Sequence, residues 1–211
     1  MWTSSEHYGE IVKMSNLYVY MFRSRNKDNK EIKGFKERCK TIVAYRENED
    51  KVRESFEKFA AEGLLGEKTR LYRSVNSRNE EKVREELIIR LLRDKPNITE
   101  LNRVLASVAQ QVENRDESKW LFDFDCDDIL LMNLFVKDIK EMSKVYWDEE
   151  NTELAIKSVE VEAYKTPHGY AIITSNGFDT RELMEKWKDY DITLKRDELL
   201  FLDMKENLIN E

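Results

Sequence analysis

Apolar and polar positions fall into blocks along the chain, and each block predicts an element. Asn16 to Arg25 (NLYVYMFRSR) is rich in aromatic and β-branched residues and reads as a strand. Asn26 to Lys30 is a polar turn. Glu31 to Asn48 is mixed, and reads as a short helix followed by a strand over Thr41 to Tyr45. Asp50 caps a helix whose apolar positions, Val52, Phe56, Phe59 and Ala60, recur at helical spacing and stop near Gly63. Thr69 to Val75 alternates as a strand does. Ser77-Arg78-Asn79-Glu80 has the spacing of a capping box, in which hydroxyl and carboxylate each take up a free amide of the first turn. The helix it opens carries the stripe Val83, Leu87, Ile88, Leu91 and Leu92. Pro96 breaks it, and Asn97 to Glu100 resembles a second capping box before Leu101, Val104, Leu105, Val108 and Val112.

The second half opens with Trp120 to Asp125 as a buried strand. Asp127 or Asp128 caps the next helix, with Leu131, Leu134, Phe135 and Ile139 on one face. Lys157 to Tyr164 is a strand, Thr166 to Gly169 a turn, and Tyr170 to Thr174 the returning strand. Asp179 to Glu182 caps a helix bearing Leu183, Met184 and Trp187. Ile192 to Leu194 and Leu199 to Met204 read as a last strand pair, and Trp147 to Asn151 as a solvated acidic loop or, alternatively, a docking site. Hairpins mixed with helix crossovers indicate an α+β domain, a sheet covered by helices, spanning 16–211 behind an irregular arm at 1–15.

Composition narrows the class. With 211 residues the chain suits one domain. Six Gly and two Pro exclude collagen-like and low-complexity chains. No apolar run is long enough to span a bilayer, and the N-terminus lacks the basic-then-apolar order of a secretory leader. Cys39 and Cys126 form neither a disulfide framework nor a CxxC site, so a reducing, cytoplasmic setting is expected. The net charge of −7 argues against an avid, non-specific nucleic-acid binder, which gains affinity by neutralising phosphates.

Candidate chemistry centres on Leu121-Phe122-Asp123-Phe124-Asp125-Cys126-Asp127-Asp128. In a strand, Asp123 and Asp125 project to one face while Phe122 and Phe124 fill the other. Adjacent carboxylates repel, and a hard cation such as Mg²⁺ or Mn²⁺ relieves that repulsion. The plainer alternative is that one Asp caps the helix and the others are solvated. The hairpin turn Tyr164-Lys165-Thr166-Pro167-His168-Gly169 sets an imidazole and a lysine where backbone amides can meet a phosphate. Asp203 closes the apolar strand Leu199 to Met204. Arg70, Arg73, Asn76 and Arg78 lead from a strand into a helix N-terminus, a setting suited to an anion. No Walker loop or protein-kinase signature is present.

Asp-x-Asp on one strand, a turn bearing His in a hairpin, and a hydrophobic-Asp strand occur in that order between Thr69 and Met204. This order resembles that of the archaeo-eukaryotic primase superfamily. The resemblance implies an RNA-recognition-like sheet of the primase catalytic palm. It implies Mg²⁺ or Mn²⁺ on Asp123, Asp125 and Asp203, and contact between His168 and nucleotide phosphates. The Tyr72-x-x-Val75-Asn76-x-Arg78 stretch and the Thr166-Pro167-x-Gly169-Tyr170 turn also look like those of small bacteriophage proteins. One position departs from the pattern: the His expected after the Gly-aromatic pair is Ala171 here. The expectation is a metal-dependent nucleotidyl- or phosphoryl-transferase. Arg70, Arg73, Asn76, Arg78 and Lys165 would hold phosphates, and a nucleoside triphosphate and single-stranded nucleic acid would be the partners. The alternatives are a catalytically inactive primase-like interaction protein and a Mn²⁺- or Mg²⁺-dependent nuclease.

Overall fold

In a computed structural model, residues 16–149 and 153–208 are described, with the backbone alone for 145–149 and 153–157. The N-terminal arm expected at 1–15 lies outside the described residues. The chain is α+β, with five α-helices and two four-stranded antiparallel sheets.

The first sheet contains β1 (Leu17–Ser24), β2 (Arg38–Tyr45), β3 (Lys68–Ser74) and β10 (Leu199–Glu206), in the order β10-β3-β1-β2. Its central strand β1 is apolar at nearly every position because both faces are covered. Tyr18, Tyr20 and Phe22 meet Val52, Phe56 and Phe59 of α1 (Glu49–Ala61). Leu17 and Val19 on the other face meet Val83 of α2 (Glu80–Asp94) and Val108 and Ala109 of α3 (Leu101–Ala109).

The second sheet has the order β7-β8-β4-β9. It is built from β4 (Trp120–Phe124), α4 (Ile129–Met142), β7 (Val161–Thr166), β8 (Gly169–Thr174), α5 (Arg181–Lys186) and β9 (Ile192–Lys195). The connectivity is βαββαβ, the split β-α-β arrangement. A separate hairpin of β5 (Val145–Glu149) and β6 (Glu153–Lys157) is inserted between α4 and β7. Phe122, Phe124 and Ile172 on one face of this sheet pack under Phe135, Ile139, Leu183 and Trp187 of the two helices. Its other face carries Leu121, Ala171 and Ile173, which join Val75 and Leu200 of the first half in a shared apolar cluster.

Several expectations are corrected. Residues 31–37 form turns, and β2 begins at Arg38, earlier than its apolar core suggests. The helix N-cap is Asn79, whose side chain accepts from the Lys82 amide at 3.0 Å; Ser77 instead donates to Glu117. Val83 alone of the α2 stripe is buried; Ile88, Ile89 and Leu92 are exposed. Residues 147–149 belong to β5, not to a loop, while 150 and 151 lie outside the described residues. Most consequentially, β9 and β10 do not pair with each other. β9 joins β4 and β10 joins β3, so the chain crosses from one sheet to the other between them.

Candidate functional site

Strand parity sets the residues on the face that the second sheet turns toward the first. Asp123 on β4 stands opposite Ala171 on β8 and Thr193 on β9, and Ala171 in turn stands opposite Tyr164 on β7. The next row is Lys195, Leu121, Ile173 and Glu162. Phe122 and Phe124 anchor β4 from behind, so the buried face fixes the direction in which Asp123 projects.

Asp125 lies just past the end of β4, where its amide donates to the Asp191 carbonyl at 3.0 Å. That bond extends the β4–β9 ladder by one step and brings Asp191 to the same end of the sheet. Burial, then the negative charges of Asp123 and Asp191, push the Asp125 carboxyl above the usual carboxylate range, while His168 and Lys195 pull it back. Lys195 compensates Asp123 directly, with Nζ 2.8 Å from Oδ2. Burial works against the Lys195 ammonium, but this bond together with the negative charges of Asp123, Glu198 and Asp125 holds the group above its ordinary range.

Gly169 explains how His168 comes close. A Cβ there would collide with the Phe124 carbonyl and the Cys126 amide, so only glycine lets the β7–β8 turn press against the end of β4. His168 is exposed in that turn. The remaining acids of the run have other employment. Asp127 pairs with Lys165 at the surface, and Lys165 also sits over the Tyr170 ring. Asp128 caps α4 by accepting from the Leu130 and Leu131 amides at 2.7 and 3.3 Å.

The structure therefore gathers Asp123, Asp125, Asp191, His168 and Lys195, but it does not bring Asp203 to them. Asp203 belongs to the first sheet, next to a β-bulge, and its carboxylate pairs with Arg53 of α1 at 3.6 Å. Among the described residues, no group of three or more His, Cys, Asp or Glu side chains is arranged to hold a metal ion. Two carboxylates still suit Mg²⁺, which keeps waters and takes substrate phosphates in place of a full protein cage.

The basic stretch from Arg70 to Arg78 is committed inside the protein. Arg70 pairs with Asp28 at 2.6 Å, and Arg73 with Glu49 at 3.0 Å. Burial would raise the Asp28 carboxyl, but Arg25 and Arg70 outweigh it and hold it low. Arg78 makes two hydrogen bonds to Asp197, at 3.0 and 3.2 Å. Asn76 donates to the Lys119 carbonyl and to Asp197, and accepts from the Lys119 amide at 2.7 Å. These bonds join the end of β3 to the entry of β4 and to the β9–β10 crossing, so Asn76 and Arg78 stitch the two sheets together.

Asp191 and Lys195 escaped the sequence reading. Neither lies in a recognisable motif, and each reaches the site only through the pairing of β9 with β4, which is distant in sequence. Compared with protein-family models, with curated proteins and with solved structures, the chain matches none of them.

Proposed function

We propose that the Asp123 and Asp125 end of the second sheet is a phosphate-handling palm, in which these two carboxylates share a Mg²⁺ or Mn²⁺ ion with the phosphates of a nucleotide. The observation that carries this reading is the meeting of Asp123, Asp125 and Asp191 at one end of β4 and β9, where the negative charges of Asp123 and Asp191 act on Asp125. A cation of charge two would relieve that repulsion. The βαββαβ connectivity and the strand order support the likeness to an RNA-recognition-like sheet, and so to the primase palm. When bound, the ion would neutralise phosphate charge and polarise the reacting oxygen. In this reading Asp123 and Asp125 hold the ion. Lys195 orients the Asp123 carboxylate and limits its negative charge, and His168 meets a phosphate at the mouth of the turn.

The test is calorimetric titration of Mn²⁺ and Mg²⁺ into the wild type and into the Asp123→Asn/Asp125→Asn double variant. Binding by the wild type and its loss in the variant are expected. Equal heats in both proteins would remove the reading.

Ala171 favours a second reading, a catalytically inactive palm that binds without turnover. Its side chain borders Asp123 where the resemblance leads one to expect an imidazole. Metal and nucleotide binding without any transfer to a primer or any cleavage of single-stranded DNA or RNA would select this version and exclude both the transferase and the nuclease.

A further inference from the structure

Between them the two sheets enclose a cavity of about 120 Å³. Its walls come from both halves of the chain: Tyr18, Arg73 and Leu200 from the first sheet, Glu162, Tyr164 and Ile173 from the second. Arg46 and Lys119 complete it. Arg46, Arg73 and Lys119 set three positive charges against the single carboxylate of Glu162. Glu162 is itself engaged, accepting from the Tyr164 hydroxyl. That bond first, and burial second, raise the Tyr164 pKa, so the phenol stays protonated.

The cations differ in how far they are committed. Lys119 pairs with Glu117 at 2.7 Å, and Arg73 with Glu49 at 3.0 Å. The Arg73 Nε–H is buried and has no hydrogen-bond acceptor among the described residues. An orphaned buried donor calls for a water or an ion. The Arg46 side chain is exposed and makes no ion pair among the described residues. At about 10–15 Å³ per water, the cavity has room for several waters or for one tetrahedral oxyanion.

We propose that this inter-sheet cavity is an anion site that takes a phosphate group, held by Arg46, Arg73 and Lys119. It deepens the phosphate-handling reading, because Tyr164 in its wall stands in the same cross-strand row as Asp123, with Ala171 between them. It does not depend on the cation. The phosphate is either free orthophosphate or one phosphate of a nucleotide, and both present the same tetrahedral set of anionic oxygens.

The experiment is titration of orthophosphate and ATP, separately, at constant ionic strength and in excess EDTA. The proteins are the wild type, Arg46→Ala, Arg46→Lys and the Asp123→Asn/Asp125→Asn variant. Arg46 is exposed, so its replacement leaves the fold intact. The expected result is binding that weakens about tenfold in Arg46→Ala, as loss of a charge-assisted bond implies, and recovers in Arg46→Lys. The double acid variant is expected to bind as well as the wild type or better. ATP affected and orthophosphate not binding identifies a nucleotide site; the reverse identifies a free-ion site. No binding of either ligand, or binding indifferent to Arg46, overturns the proposal. Because no metal is present, that failure is distinct from a failure of the Asp123 and Asp125 ion site.

Discussion

Ala171 stands in register with Asp123 on the adjacent antiparallel strand, so the side chain facing the candidate acid across the β4–β8 ladder is a methyl group. Ala171 is 3% exposed and belongs to the apolar cluster that joins the sheets. The variant Ala171→His is therefore expected to lose about 1–3 kcal/mol to overpacking. It is also expected to bind Mn²⁺ more tightly than the wild type, since a neutral imidazole adds a ligand beside Asp123. Thermal melts and Mn²⁺ calorimetry measure the two effects, and unchanged Mn²⁺ affinity in a folded variant would place the ion elsewhere.

Asp125 carries a raised carboxyl, so the folded chain holds that proton more tightly than the unfolded one does. Stability then falls as pH rises from the unfolded pKa through the raised native value, and ionised Asp125 is a net cost above it. Asp125→Asn is expected to raise the melting midpoint at pH 7, by about 0.5 kcal/mol because the site is exposed and screened. The difference should vanish in acid, where both side chains are neutral. A variant that melts lower at pH 7 would contradict the unfavourable ionisation of Asp125 by burial and by Asp123 and Asp191.

Glu67 has the opposite sign. Burial alone would push its carboxyl up, but the Leu64 amide and Arg38 outweigh it and hold it below the usual range. Its Oε1 lies 2.6 Å from Arg38 Nη2. The stabilisation is present above the unfolded Glu pKa and is lost as pH falls through the depressed native value. Glu67→Gln is expected to cost about 2–3 kcal/mol at neutral pH and progressively less in acid. Denaturant melts of the two proteins across pH 2–7 give the comparison.

Arg78 and Asp197 are both nearly buried, with side chains 4% and 10% exposed. Arg78→Ala leaves the Asp197 charge without its main counter-ion, and a loss of about 3–5 kcal/mol is expected. Arg78→Met with Asp197→Leu should recover most of it, since no charge is then stranded. Urea unfolding of the single and double variants decides between a structural stitch and an exposed phosphate clamp; a stable Arg78→Ala would favour the clamp.

Local patterns in the sequence located β1, α1, β3, β4, α4 and the β7–β8 hairpin, because each has an apolar face with its own period. They could not show which strands pair. Ile192 to Leu194 and Leu199 to Met204 look like a hairpin, yet Leu121 competes for the first strand and Arg73 for the second. Asp123 and Asp125 were legible as a pair because strand parity is local. Asp191 and Lys195 were not, since a residue's place in a ladder depends on its distant partner. Arg70 and Arg78 read as an anion site for the same reason: Asp28 and Asp197, which neutralise them, come from elsewhere in the chain.

The crossing from β9 to β10 has a consequence for how the protein is made. Residues 68–74 of β3 pair with residues 199–206 of β10, from the far end of the described chain. A nascent polypeptide leaving the ribosome can assemble β1, β2 and β3 early, but the outer edge of β3 stays bare until residues 199–206 have emerged. Pairings this distant are slow to close, and an uncovered strand edge invites association with other chains. The first sheet thus depends on translation having passed β10, and a pause between β9 and β10 would expose its most vulnerable edge.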